Sequence, residues 1–131
     1  MILEFANVIQ YYIVGTMNRE ELQARTKLFA LRVINMSDAL PRSTKGKVIG
    51  NQMLRSASAV ASGYRAACRA RSKADWIDKI GRVLEEADES LFWIELIEEA
   101  GLLPVRRTDG LKTEASELTA IFAAIHKSSK S

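Results

Sequence analysis

The stretch from Asn51 to Leu103 reads as two long helices joined at one tight turn, a basic, small-residue helix running into an acidic, aromatic one. The charge of the whole chain divides at that turn. Residues 1–73 hold 12 Lys/Arg against 4 Asp/Glu, and residues 74–131 hold 7 against 12, so parts of net +8 and −5 make up the overall +3. Two antiparallel helices of opposite charge, in a chain that is 47% hydrophobic, point to an α-helical scaffold that assembles with copies of itself.

The rest of the chain fits the same class. A first helix is expected from Arg19 to Ala39, with the apolar stripe Leu22, Thr26, Phe29, Val33, Ile34 and Leu40, and Pro41 stops it. The second begins after Ser43 and runs to about Arg71, with Val48, Ile49, Met53, Leu54, Val60, Tyr64 and Ala67 on its buried side. Ser72 caps the third, Asp75 completes the capping box, and Gly101 takes the left-handed position after Ala100. Thr108 or Asp109 starts the fourth, whose stripe is Leu111, Ala115, Leu118, Phe122 and Ile125. Short connections between four such helices favour an antiparallel up-down-up-down four-helix bundle.

Composition narrows the setting. With 131 residues the chain makes one domain, and its single cysteine, Cys68, excludes an internal disulfide and fits a reducing cytoplasm. Met1–Thr16 is apolar at 11 of 16 positions and carries no basic residue. It is shorter than the roughly 20 apolar residues that span a bilayer and lacks the charged start of a signal peptide. Asn18 can cap a helix with Glu21 at the capping-box position, so Met17 has the look of a natural beginning. Residues 1–16 are therefore read as an extension, either upstream of the true start or an arm that docks on the bundle or a neighbour, and residues 17–131 as the bundle.

If the hairpin pivots near Ser72, facing residues have numbers adding to about 144. Gly63 then faces Gly81, and Arg55 faces Glu89 with Glu85 close by, a structural ion pair in an apolar layer. The segment Leu91–Ile97 is apolar at six of seven positions, more than one bundle face needs. Phe92, Trp93 and Leu96 are the candidates to face a neighbouring copy, the alternative being a helix wholly central to the monomer.

The residues offer little chemistry. His126 reads as a solvated residue near the C-terminus, and Cys68 has neither a second cysteine nor a nearby histidine to share a metal. Arg65, Arg69 and Arg71 around Cys68 are in position to lower its pKa, against the alternative of a structural thiol. Glu85, Glu86, Asp88 and Glu89 lack the Glu-x-x-His partner of a metal-binding bundle. No catalytic residue, metal site or cofactor is expected. For nucleic acid the candidates are Arg65, Arg69, Arg71 and Lys73 at one end of the second helix, against a surface in which Asp75 and Asp78 pair with Arg69 and Arg65.

Several segments together resemble one family: Asn51-Gln52-x-Leu54-Arg55-Ser56-Ala57-Ser58, Tyr64-Arg65, Ser72-Lys73-Ala74-Asp75-Trp76-Ile77, Lys79-Ile80-Gly81, and Glu85-Glu86-Ala87-Asp88-Glu89-Ser90-x-x-Trp93-x-Glu95-Leu96. They are similar to the bacterial four-helix bundle proteins called 23S rRNA intervening-sequence proteins, over about Leu28 to Leu103. The resemblance implies an up-down-up-down bundle assembled as a ring-shaped homopentamer, with no defining enzymatic activity. The chain departs at Gly63 and Ala66, where the family's pattern carries Asn and Glu. Two functions follow. One is a non-enzymatic, cytoplasmic homo-oligomer that binds RNA, DNA or a nucleoprotein through basic surface. The other is a protein-interaction scaffold, such as the accessory subunit of a reverse transcriptase in a diversity-generating retroelement, a related branch of the family.

Overall fold

Three of the four helices start where a short polar side chain closes a free amide. Asn18 Oδ1 accepts from the Glu21 amide at 2.9 Å, Ser43 Oγ from Gly46 at 3.2 Å and Ser72 Oγ from Asp75 at 3.0 Å. The computed structural model describes residues 17–131 and places them in α1 (Arg19–Ser37), α2 (Thr44–Ala67), α3 (Lys73–Glu99) and α4 (Val105–Ser129). Among the described residues there is no strand. The expectations for residues 1–16 lie outside the described residues.

The fourth start corrects the expected one. α4 begins at Val105 with Pro104 as its cap residue, and no side chain caps it. Proline's ring fixes φ near the value a helix entrance needs and its missing amide costs nothing there, so it marks the start directly. Thr108, expected near the cap, is instead buried inside the helix, and its hydroxyl donates to Glu98 Oε2 at 2.6 Å. At the end of α3, Gly101 has φ +69°, and the Leu102 amide donates to the Ile97 carbonyl at 3.0 Å while Gly101 donates to Glu98 at 3.1 Å. These two bonds form a Schellman closure, which needs the left-handed residue that glycine supplies without strain.

α2 ends at Ala67, short of the expected Arg71. The amides of Arg69 and Ala70 donate to the carbonyls of Ala66 and Ala67, each at 3.0 Å, so the chain tightens into three-residue turns before Ser72. α1 stops at Ser37 rather than Ala39, and the Pro41 carbonyl then folds over the first turn of α2. A Cβ on Gly46 would lie 2.1 Å from the Pro41 oxygen, so this connection requires glycine.

Each helix packs on its neighbours in the chain, and α1 also meets α4, though over fewer positions. One apolar core runs through all four helices, with Phe29, Tyr64, Trp76 and Phe122 its largest fully buried side chains. Each contributes about 1.5–3 kcal/mol relative to exposure. The α4 stripe is buried throughout. Two expected core residues are not: Ile34 is 47% and Val48 56% exposed. Each follows or precedes a buried position by one or two residues, and every step along a helix turns the side chain by roughly 100°.

Contacts between α2 and α3 climb one helix as they descend the other: Ser56 meets Ser90, and Gly63 meets Val83. The expected Gly63–Gly81 contact is not formed. A Cβ on Gly63 would come 2.9 Å from Val83 Cγ2, whereas one on Gly81 would meet His126 of α4 at 3.1 Å. Helical side chains lean toward their own N-terminus, so Val83 reaches back over Gly63 while Gly81 points away.

Candidate nucleic-acid interface

The basic candidates divide into two places. Arg65 sits on the last turn of α2 and Arg69 on the turn after it, both exposed. Together they line an open groove of about 700 Å³ between α1 and α2, with Lys27 on the α1 side, Ser58 and Ser62 on the α2 side, and Glu20 as the one carboxylate lining it. Arg71 and Lys73 lie beyond it, on the turn into α3.

The carboxylates expected to occupy the arginines are engaged on their own helix. Asp75 Oδ1 accepts from Lys79 Nζ at 2.6 Å and its Oδ2 from the Arg71 amide at 3.1 Å. Lys79, then that amide, hold the Asp75 carboxyl below the usual carboxylate range. Asp78 pairs with Arg82 at 3.2 Å. The i, i+4 spacing favours these local partners over a reach across the turn. Among the described residues, Arg65 and Arg69 therefore form no ion pair.

Cys68 lies beneath this surface, buried against the core. Burial pushes its thiol up, outweighing the hydrogen-bonding pull of Gln23 and Tyr64. The nearby arginines do not activate it, because their charges are in solvent while the sulfur is not. Burial likewise pushes the Tyr64 phenol up. His126 is no tail residue: α4 continues past it, and its ring stands half-buried over Gly81. Among the described residues no cluster of three metal-binding side chains occurs, and no helix is long and apolar enough to cross a membrane.

The expected ion pair is placed differently. Arg55 meets Glu89 and, at 2.9 Å, Glu86, whereas Glu85 is exposed and outside the pair. The Arg55 side chain is 51% exposed, so the cluster lies on the rim of the α2–α3 seam and not in an apolar layer. Partial burial, together with the neighbouring Glu89, pushes the Glu86 carboxyl up against the pull of Arg55. Burial pulls Glu89 the same way, but the hydrogen bond it accepts from Arg55 and the charge of that guanidinium hold it low. What occupies the buried layer is a serine pair that sequence reasoning missed. Ser56 and Ser90 Oγ lie 3.0 Å apart, and both residues are fully buried.

In the apolar segment of α3, Ile94 and Ile97 are buried, and Trp93 and Leu96 are half-buried. Phe92 is the outlier at 52% exposed, its ring edge-on to Trp93 with centroids 4.9 Å apart. On α1, Leu28, Leu31 and Ile34 form a second exposed apolar ridge at three-residue steps. Leu28 and Leu31 were invisible as surface from periodicity, because all three interleave with the buried stripe.

A crystal structure of a protein of unknown function from the S23 ribosomal protein family of Bacteroides thetaiotaomicron VPI-5482 is similar, with 28% identity and a TM-score of 0.74. That similarity covers 80% of this chain and 97% of that one. No curated protein matches the chain. The family model described as 23S rRNA-intervening sequence protein matches residues 20–124, from the first turn of α1 to the last turns of α4. The chain thus belongs to the 23S rRNA-intervening sequence protein family.

Proposed function

We propose that the protein is a non-enzymatic, cytoplasmic homo-oligomer, its helices alternating up-down-up-down and five copies closing a ring, that binds RNA or a nucleoprotein partner through basic surface. One observation carries the binding reading: Arg65 and Arg69, which form no ion pair among the described residues, line the α1–α2 groove together with Lys27. Exposed cations beside a groove suit phosphates, and repetition around a ring would add avidity to a weak single site. Nothing in this geometry reads base edges, so recognition rests on charge and shape.

Assembly is supported by apolar side chains left in solvent, Phe92 on α3 and the Leu28–Leu31–Ile34 ridge on α1. The alternating direction of the helices is supported by the opposed order of the α2–α3 contacts and by Arg25 of α1 meeting Glu114 of α4. The absence of catalysis is supported by the placement of Cys68 and His126, one sealed in the core and the other packed on glycine.

Titration of the protein with a structured RNA across a salt series tests the reading. Affinity should fall steeply with salt, and Arg65→Gln with Arg69→Gln should flatten the slope by about one unit per lost phosphate contact. Absence of binding at about 50 mM salt and well above micromolar protein would sink it. Co-purification with a reverse transcriptase in that case would favour the accessory-subunit reading.

A further inference from the structure

The bundle end opposite the Arg65–Arg69 groove holds a second concavity, of about 250 Å³, where the last turns of α1 meet the first turns of α4. Three arginines line it, Arg32 from α1 and Arg106 and Arg107 from α4, together with Asn35 and Gly110, and no carboxylate does. Two other seam arginines are neutralised, Arg25 by Glu114 and Glu117 and Arg55 by Glu86 and Glu89. These three have no ion pair among the described residues.

Their arrangement works against stability in two ways. The guanidinium groups crowd like charge into one small volume. Arg106 and Arg107 occupy the first turn of a 25-residue helix that has no acidic residue there, at the end where the helix dipole disfavours cations. Arg32 also lies directly on the α4 backbone, since a Cβ on Gly110 would come 3.2 Å from its Nη2. A larger residue at 110 would push that guanidinium away. An anion between the three groups reverses both costs at once, and a planar guanidinium offers paired N–H donors to tetrahedral oxyanions.

We propose that Arg32, Arg106 and Arg107 form a pocket for a single phosphoryl group, with the Asn35 amide as an additional donor. The pocket is separate from the Arg65–Arg69 groove and does not depend on it. Its ligand is either a small phosphate-bearing solute or the terminal phosphate of a nucleic acid, and both present the same dianionic group.

The test uses the full chain and inorganic phosphate, with chloride at matched ionic strength as control. Phosphate should raise Tm saturably in the wild type, as any ligand that binds only the folded state does. The Arg106→Gln, Arg107→Gln double variant should melt higher than wild type without phosphate, because repulsion is relieved. Its phosphate affinity should be weaker by roughly tenfold or more, because charge-assisted hydrogen bonds are lost. Arg65→Gln with Arg69→Gln should leave the phosphate response intact, which separates this site from the groove. An RNA with a 5′-phosphate that binds more tightly than its 5′-hydroxyl twin, only when Arg106 and Arg107 are present, assigns the group to a nucleic-acid end. Equal binding of the two assigns it to a small solute. A wild type that responds to phosphate no more than to chloride, or a double variant that responds as the wild type does, overturns the proposal.

Discussion

Arg25 and Glu114 join α1 to α4 through a two-armed ion pair, Arg25 Nε and Nη2 donating to Glu114 Oε2 and Oε1, both at 2.8 Å. The side chains are only 24% and 16% exposed, and Glu117 adds a contact at 3.1 Å. The hydrogen bonds that Arg25 donates to Glu114 raise its pKa further. A double-mutant cycle with Arg25→Met and Glu114→Gln should return a coupling of about 1–2 kcal/mol, between the values for exposed and buried charged pairs. Arg25→Lys should recover little of it, since an ammonium cannot match both oxygens at once. Urea titrations measure all three.

The Arg55 cluster should behave differently. With Arg55 half in solvent, Arg55→Ala should cost under about 1 kcal/mol in urea denaturation, not the several kcal/mol of a pair in an apolar layer. Ser56→Val should cost more, because it removes one half of the buried serine pair and crowds a closed layer.

Acid stability should depend on carboxylates that are locally paired. Lys79 and the Arg71 amide lower the Asp75 pKa, and Lys112 and the Thr108 hydroxyl lower that of Glu98. A carboxyl depressed in the folded state adds stability above its unfolded pKa, and that contribution disappears as pH falls through the folded value. Urea midpoints should therefore fall as pH drops from about 4.5 downward. Asp75→Asn with Glu98→Gln should make that limb shallower.

Cys68 should be inert in the native state. Burial closes off the sulfur and disfavours the thiolate, so iodoacetamide at pH about 8 should label it only after denaturation. Rapid labelling of folded protein would contradict its placement.

Assembly has its own readout. A ring of five predicts light scattering at about five times the 14.6 kDa chain mass, and Phe92→Glu should shift the distribution toward smaller species. A monodisperse monomer at micromolar concentration would rule the ring out.

Local chemistry made most of the helix ends legible in the sequence. Asn18, Ser43, Ser72 and Gly101 each act within a few residues of themselves, and each does what its type dictates. Pro104 is equally local, but the polar Thr108 and Asp109 a few residues on are what the sequence offers as the expected start of α4. Relations across helices were harder to read. A register counted from the turn put Gly63 on Gly81, missing by two residues because side chains lean along their helix. It chose Glu85 over Glu86 because one residue of rotation decides which carboxylate reaches Arg55. Arg25 and Glu114 are 89 positions apart, and nothing near either one marks the other. The unpaired state of Arg65 and Arg69 was hidden for a related reason. Asp75 and Asp78 were near enough to serve, and only geometry shows them turned toward Lys79 and Arg82.

The modest contact between α1 and α4 gives the bundle a preferred place to open. Three of its four sides join helices consecutive in the chain through short turns, and two of these, α2–α3 and α3–α4, share α3 as a spine. The α1–α4 side is closed by the Arg25 clamp, whose grip salt weakens, while the apolar packing along α3 is indifferent to salt. Amide exchange should therefore be fastest in α1 and slowest in the middle of α3, and added salt should widen the gap. The protein would open like a book along one charged edge, with its spine still bound.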